Sequence, residues 1–280
     1  MTVYPADLEE IRGFLAKQMA MISRSHNSRL EEVVKLVRRE RFLPPGPWKI
    51  QLDSGYIDTP SANPAYIYQN VVVALDAEKG INNGEPLLHA RWIGAVQPEA
   101  GETVTHVGAG TGFYTAILSM LVQPGGRVMG FEVEADLARR AAQNVKPFEN
   151  ISVVAADAAS SELPPSDVIY VNAGVFAPPQ HWLAALRPGG RLIFPWRPTQ
   201  TIGIAVLVTQ QASGFVLRPL MPAWFIACVG TEGVSGRSSL APDHNTAWQS
   251  RSIHLCSDRK PDDSATAIYD QVWFSREAVA

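Results

Sequence analysis

Three glycines at alternate positions, Gly108, Gly110 and Gly112, stand between an apolar stretch and an amphipathic one, and they constrain this chain most. The residues before them predict a short buried strand from Thr103 to Val107. Those after them predict a helix to about Val122, with Phe113, Ile117 and Leu121 on one face and Thr111 as its N-cap. Glycines in a strand-to-helix turn let the backbone approach a ligand where a Cβ would clash. The helix N-terminus then offers unpaired N–H groups and a partial positive charge.

The spacing is G-x-G-x-G, one residue shorter than the G-x-G-x-x-G of dinucleotide sites. The strands beyond the loop give it meaning. A Pro-Gly-Gly turn at 124–126 leads to a second strand, Arg127 to Val133, that carries Glu132. An acid there, 24 positions after Gly108, is placed to accept hydrogen bonds from both hydroxyls of a ribose. A third strand, Ile151 to Ala156, ends at Asp157, and a fourth, Asp167 to Ala173, carries Asn172 near its end. Polar groups thus collect at the carboxyl ends of successive parallel strands, which implies a nucleoside-containing cofactor.

These residues resemble a known family. His106-Val-Gly-Ala-Gly-Thr-Gly-Phe-Tyr-Thr-Ala-Ile-Leu118 is similar to the S-adenosylmethionine-binding loop of class I methyltransferases, more narrowly of protein-L-isoaspartate O-methyltransferases. Val34 to Pro44 resembles that family's helix followed by R-x-x-F-V-P, and Arg187 to Pro195 and Leu220 to Gly230 resemble its late strands. The resemblance covers about residues 30–230 and implies an α/β, doubly wound, mostly parallel Rossmann-like sheet. The chain is expected to divide into an N-terminal helical segment (1–47), ending at the proline-rich turn Pro44-Pro-Gly-Pro47, an S-adenosylmethionine-binding domain (48–230) and a C-terminal extension (231–280). The resemblance also implies that Gly108, Ala109, Gly110, Thr111 and Gly112 cradle the cofactor, that Glu132 holds its ribose, and that Asp157 meets the adenine amino group. Asp157 also reads as a helix cap after the third strand.

The acceptor end departs from the family. Its segment G-x-T-I-S-x-P carries a serine beside the reacting carboxylate and methyl group. Anchored on Gly80, Pro86 and His89-Ala90, this sequence has Gly84 there, preceded by Asn82 and Asn83. The candidate catalytic positions are therefore Asn83, Gly84, His89 as a possible base, and Asn172, which either faces the methyl-transfer site or ties down a turn. His106 reads as a satisfied core histidine, His181 carries no assignment, and the seven tryptophans read as core.

A net charge of −3 gives no general field for nucleic acid or an anionic membrane. Two cysteines are too few for a disulfide framework or a zinc cluster, so no metal is expected and a reducing cytoplasm is. The start is acidic and unlike a signal peptide, and the longest apolar run, Ile202 to Val208, is far short of a membrane span.

Elsewhere, Leu8, Ile11, Leu15, Met19 and Ile22 predict a helix over 6–22, and Ser28 with Glu31 predicts a capping box opening a second helix that Pro44 stops. Arg38, Arg39 and Arg41 beside Glu40 read as a solvated face. Tyr66 to Leu75 predicts a strand, and Arg91 to Val96 a helix. Helices are expected at 135–145 and 178–186, a fifth strand after Pro188-Gly-Gly190, and a hairpin from Ile202 to Leu220 closing the sheet. Beyond Thr231 only Ser252 to Cys256 and Ala267 to Phe274 suggest elements.

The expected activity is S-adenosylmethionine-dependent O-methyl transfer to a carboxylate, or another oxygen, of a protein, peptide or small molecule. The oligomeric state is open. The alternatives are a cofactor-binding scaffold without turnover, motivated by Gly84, and a dinucleotide oxidoreductase, for which the third glycine falls one residue early.

Overall fold

The computed structural model describes residues 7–53 and 55–279. Residues 1–6, with the acidic start and the first position of the expected opening helix, lie outside them. Helix α1 (Leu8–Ser23) is capped by the Asp7 side chain and buries Leu15, Ala16 and Met19. Helix α2 (Leu30–Leu36) has no capping box. Instead Asn27 Oδ1 accepts from the Arg29 N–H at 3.1 Å, an Asx turn that starts the helix differently. Nor does Pro44 end it. The chain leaves the helix at Val37 and makes a 3-10 turn over Arg39–Phe42, which carries the Arg39 side chain inward. Arg39 is 1% exposed, so the solvated reading of that charge run fails for this residue.

Strands β1 (Lys49–Leu52) and β2 (Gly55–Asp58) pair antiparallel. The expected strand over Tyr66 to Leu75 is instead a 3-10 turn at Pro64–Ile67, irregular chain, and the short β3 (Ala74–Asp76), which pairs with β4 (Ile81–Asn82). The physical reason is Arg39: its guanidinium donates to the carbonyls of Ile67 at 2.7 Å and Val71 at 2.8 Å, replacing a strand ladder. Helix α3 (Pro86–Val96) begins at Pro86 rather than Arg91, with proline in the first turn where its missing N–H is not needed.

Strand and helix then alternate: β5 (Thr103–Val107), α4 (Phe113–Leu121), β6 (Arg127–Glu132), α5 (Ala135–Asn144), β7 (Ile151–Ala155), β8 (Ser166–Val171), α6 (Gln180–Ala184) and β9 (Leu186–Trp196). Their five strands are parallel in the order β7-β6-β5-β8-β9. The order reverses between β5 and β8, which opens a crevice at their carboxyl ends. Alternate residues feed two apolar clusters: Val168 and Tyr170 of β8 join α1 to α4, whereas Ile169 and Val171 join α6 and the chain's end.

The antiparallel β10 (Ile204–Gln211) and β11 (Gly214–Pro222) follow. They do not close the sheet. After α7 (Thr231–Ser235), β12 (Ser238–Leu240) and α8 (His244–Gln249), strands β13 (Ser252–Leu255), β14 (Ala265–Tyr269) and β15 (Val272–Ser275) extend it to eleven strands, with β13 hydrogen-bonded to β11. The apolar face of this addition explains it. Phe274 stacks on Trp196 with centroids 4.1 Å apart, and both are wholly buried. Among the described residues no helix is long and apolar enough to cross a membrane.

Candidate active site

A cavity of about 500 Å³ lies at the carboxyl ends of β5 and β8, where the strand order reverses. Its floor is the glycine loop. Gly108, Gly110 and Gly112 have φ of +74°, +57° and +94°, in the left-handed region. The N–H groups of Gly108 and Ala109 both donate to the Phe131 carbonyl, at 2.9 and 3.0 Å, which pins the loop to β6. Gly112, not Thr111, is the N-cap of α4. The Thr111 hydroxyl donates instead to the Phe42 carbonyl, fastening the loop to the N-terminal segment.

Glu132 ends β6 against this floor, 6% exposed. One carboxylate oxygen accepts from the Gly110 N–H at 2.7 Å and the other from the Glu134 N–H at 3.0 Å. Burial pushes its carboxyl pKa above the usual range, opposed by these N–H donors. Each oxygen keeps a further lone pair. Asp157, after β7, lines the cavity and also accepts from the Ala159 N–H at 2.8 Å and the Ser160 hydroxyl at 3.2 Å. Among the described residues no helix lies between β7 and β8, so the helix-cap reading fails: Asp157 ties down a turn and keeps its place on the cavity wall. Asn172, after β8, lines the cavity beside Gly108, and its side-chain nitrogen lies 2.8 Å from His106 Nε2. His106 Nδ1 lies 2.8 Å from the Thr115 hydroxyl, and burial lowers the imidazole pKa to about 3. His106 is a satisfied, neutral core residue.

The other wall is built by Asn83, Gly84 and His89. Asn83 is buried, its oxygen accepting from Arg39 Nε at 3.1 Å, and the Gly84 carbonyl accepts from Arg39 at 3.2 Å. Gly84 has φ +72°, and a Cβ there would land on His89 Nε2 and lie 2.8 Å from His89 Cδ2. The imidazole thus fills the space a side chain at 84 would need. His89 stacks on Tyr114 with centroids 3.7 Å apart, and its Nδ1 lies 2.9 Å from the Tyr170 hydroxyl. Burial foremost, then the proximity of a second imidazole, His106, and of the Arg39 guanidinium, hold its pKa well below the ordinary 6.5.

Three residues here escape sequence reasoning. Arg39 looks like its neighbours in a charged run. Arg197 follows β9 and lines the cavity, and its position at the carboxyl end of a parallel strand was an available signal. Trp224, 55% exposed, lines the cavity over Arg197 rather than packing the core.

The family model described as Protein-L-isoaspartate(D-aspartate) O-methyltransferase matches residues 24–233. The chain belongs to this family. A protein-L-isoaspartate O-methyltransferase of Pelotomaculum thermopropionicum is 32% identical, over 60% of this chain and 73% of the relative. A solved protein-L-isoaspartate O-methyltransferase superposes with a TM-score of 0.67 at 21% identity, covering 95% of this chain and 88% of that one. A putative member from Plasmodium falciparum, solved in complex with S-adenosyl-L-homocysteine, superposes with a TM-score of 0.61 at 17% identity, covering 78% of this chain and 97% of that one. Both structures share the fold, a mostly parallel Rossmann-like sheet with flanking helices. The isoaspartyl methyltransferase family is a family of S-adenosylmethionine-dependent enzymes, and this chain is one of them. The residues present fit that cofactor: the cavity floor is bare of Cβ atoms at Gly108 and Gly110, and a buried acid with free lone pairs ends the second parallel strand, whereas Gly112 packs against Val145 and Ala141 outside the cavity lining.

Proposed function

We propose that the chain methylates a carboxylate on a protein, peptide or small molecule. The observation that carries this is one continuous cavity, joining the glycine loop and Glu132 at one end to Gly84 and His89 at the other. S-adenosylmethionine supplies, when bound, a methyl group already activated on a sulfonium. What remains for the protein is to orient the acceptor and exclude water.

In this reading the loop from Gly108 to Gly112 and Glu132 hold the cofactor, with Asp157 at its adenine end. Asn83, Gly84, His89 and Asn172 surround the acceptor. The state of His89 supports a carboxylate acceptor over a phenol or alcohol. An imidazole whose pKa is held well below 6.5 is a poor base, and a carboxylate needs none because it is ionised at neutral pH. Neutral His89 still offers one hydrogen bond through Nε2. Gly84 removes a hydroxyl from this wall and leaves the imidazole in its place, which supports an acceptor oriented by His89.

Calorimetry with S-adenosylhomocysteine tests the cofactor half, and radiolabelled S-adenosylmethionine with isoaspartyl peptides, free carboxylic acids and phenols tests the acceptor half. Binding in the micromolar range and labelling of a carboxylate are expected, and Glu132→Ala is expected to weaken binding by about a hundredfold through loss of two charge-assisted hydrogen bonds. Labelling of phenols alone would exclude the carboxylate reading, and binding without labelling of any acceptor would leave a scaffold.

A further inference from the structure

The acceptor end of the cavity holds a cation that the protein leaves largely unused. Arg197 follows β9, its aliphatic stem packed against Gly174, where a Cβ would come within 2.9 Å of Arg197 Cδ. Its guanidinium carbon lies 4.7 Å from the centroid of the Trp224 ring, and one N–H donates to the Phe225 carbonyl at 2.8 Å. Of five guanidinium N–H groups, that bond to Phe225 is the one made to the protein among the described residues. Arg197 makes no salt bridge there either.

The cavity's acids are otherwise engaged. Glu132 and Asp157 accept from backbone N–H groups, Glu134 is paired with Lys79, and Glu85 accepts from Asn70 at 2.5 Å. Arg197 is the one cationic side chain among the cavity's lining residues. Phe225, which follows Trp224, stands edge-on to His89 with centroids 6.0 Å apart, so the guanidinium shares a wall with the acceptor residues. An arginine fixed by stem, face and one N–H presents its remaining donors with little entropy left to lose, in a fork that matches a carboxylate.

We propose that Arg197, covered by Trp224, recognises the methyl acceptor through a carboxylate and is the specificity-determining residue of this site. This rests on the carboxylate reading of the acceptor. The Trp224 ring covers one face of the guanidinium and adds a cation–π contact that holds its orientation. Neutral acceptors leave the guanidinium without a partner inside the cavity and are selected against.

The test uses the full chain loaded with S-adenosylhomocysteine and two fluorescein-labelled hexapeptides with amidated C-termini. One carries a single isoaspartyl residue with its free carboxylate, and the other has that carboxylate amidated. Fluorescence anisotropy is expected to show the free carboxylate bound about tenfold tighter or more. Arg197→Met is expected to erase that preference and Arg197→Lys to keep part of it, both with S-adenosylhomocysteine affinity within twofold of wild type. A preference that survives Arg197→Met overturns the proposal, as does a wild-type protein that binds neither peptide or both equally. Failure of the wild-type chain to bind S-adenosylhomocysteine would instead strike the cofactor reading, so the two failures are distinguishable.

Discussion

Two buried histidines tie this protein's stability to pH. His89 and His106 both sit in the core, His106 with its pKa lowered to about 3 and His89 well below 6.5. In the unfolded chain both titrate near 6.5, so below that pH the unfolded state binds protons the folded state refuses. Their contribution is complete above pH 6.5 and is lost progressively as pH falls toward the folded values, by up to about 1.4 kcal/mol per pH unit for each. Urea unfolding at pH 7.5 and 5.5 should show the loss, and His106→Gln should flatten the slope. Gly84 makes the second residue-scale case. Gly84→Ala adds a Cβ at φ +72° that meets the His89 ring, so a destabilisation of about 2 kcal/mol or a displaced imidazole is expected. A lower Tm with an altered acceptor KM would register either.

At the scale of elements, the contact between α1 and α3 is set by a single small residue. A Cβ at Gly94 would come within 2.6 Å of the Ser23 carbonyl carbon, so backbone meets backbone there. Gly94→Ala is expected to cost about 1–3 kcal/mol, roughly 2–10 °C in Tm, because neither helix can yield by a rotamer change. Nothing local announces this contact, since its partner lies in a helix 71 positions earlier. Legibility followed that same line. The strands β5 to β8 and the polar residues at their ends were readable, because each is a short apolar run closed by a turn. The cofactor loop was readable for the same reason. The stretch from Ser28 to Ala90 was not, because its geometry depends on Arg39 supplying side-chain donors to carbonyls some thirty residues away. Propensity has no way to register a ladder made by one guanidinium. Thr111 misled for a related cause: its hydroxyl answers to Phe42, a residue from another part of the chain.

Taken as a whole, the molecule is built on an eleven-stranded sheet whose two ends serve different purposes. The parallel half carries the cavity, and the antiparallel half is completed by strands from the last third of the chain. Phe274→Ala removes the ring stacked on Trp196 and is expected to cost about 3–5 kcal/mol, measurable by chemical denaturation. Trp196 is also the last residue of β9, and Arg197 comes next. The distal strands therefore act as a buttress behind the residue proposed to choose the acceptor. Loosening them by a milder change, Phe274→Leu, should blur the discrimination between charged and neutral peptides while S-adenosylhomocysteine still binds normally. Selectivity at the mouth of this enzyme would then be governed from a part of the sheet that no ligand touches.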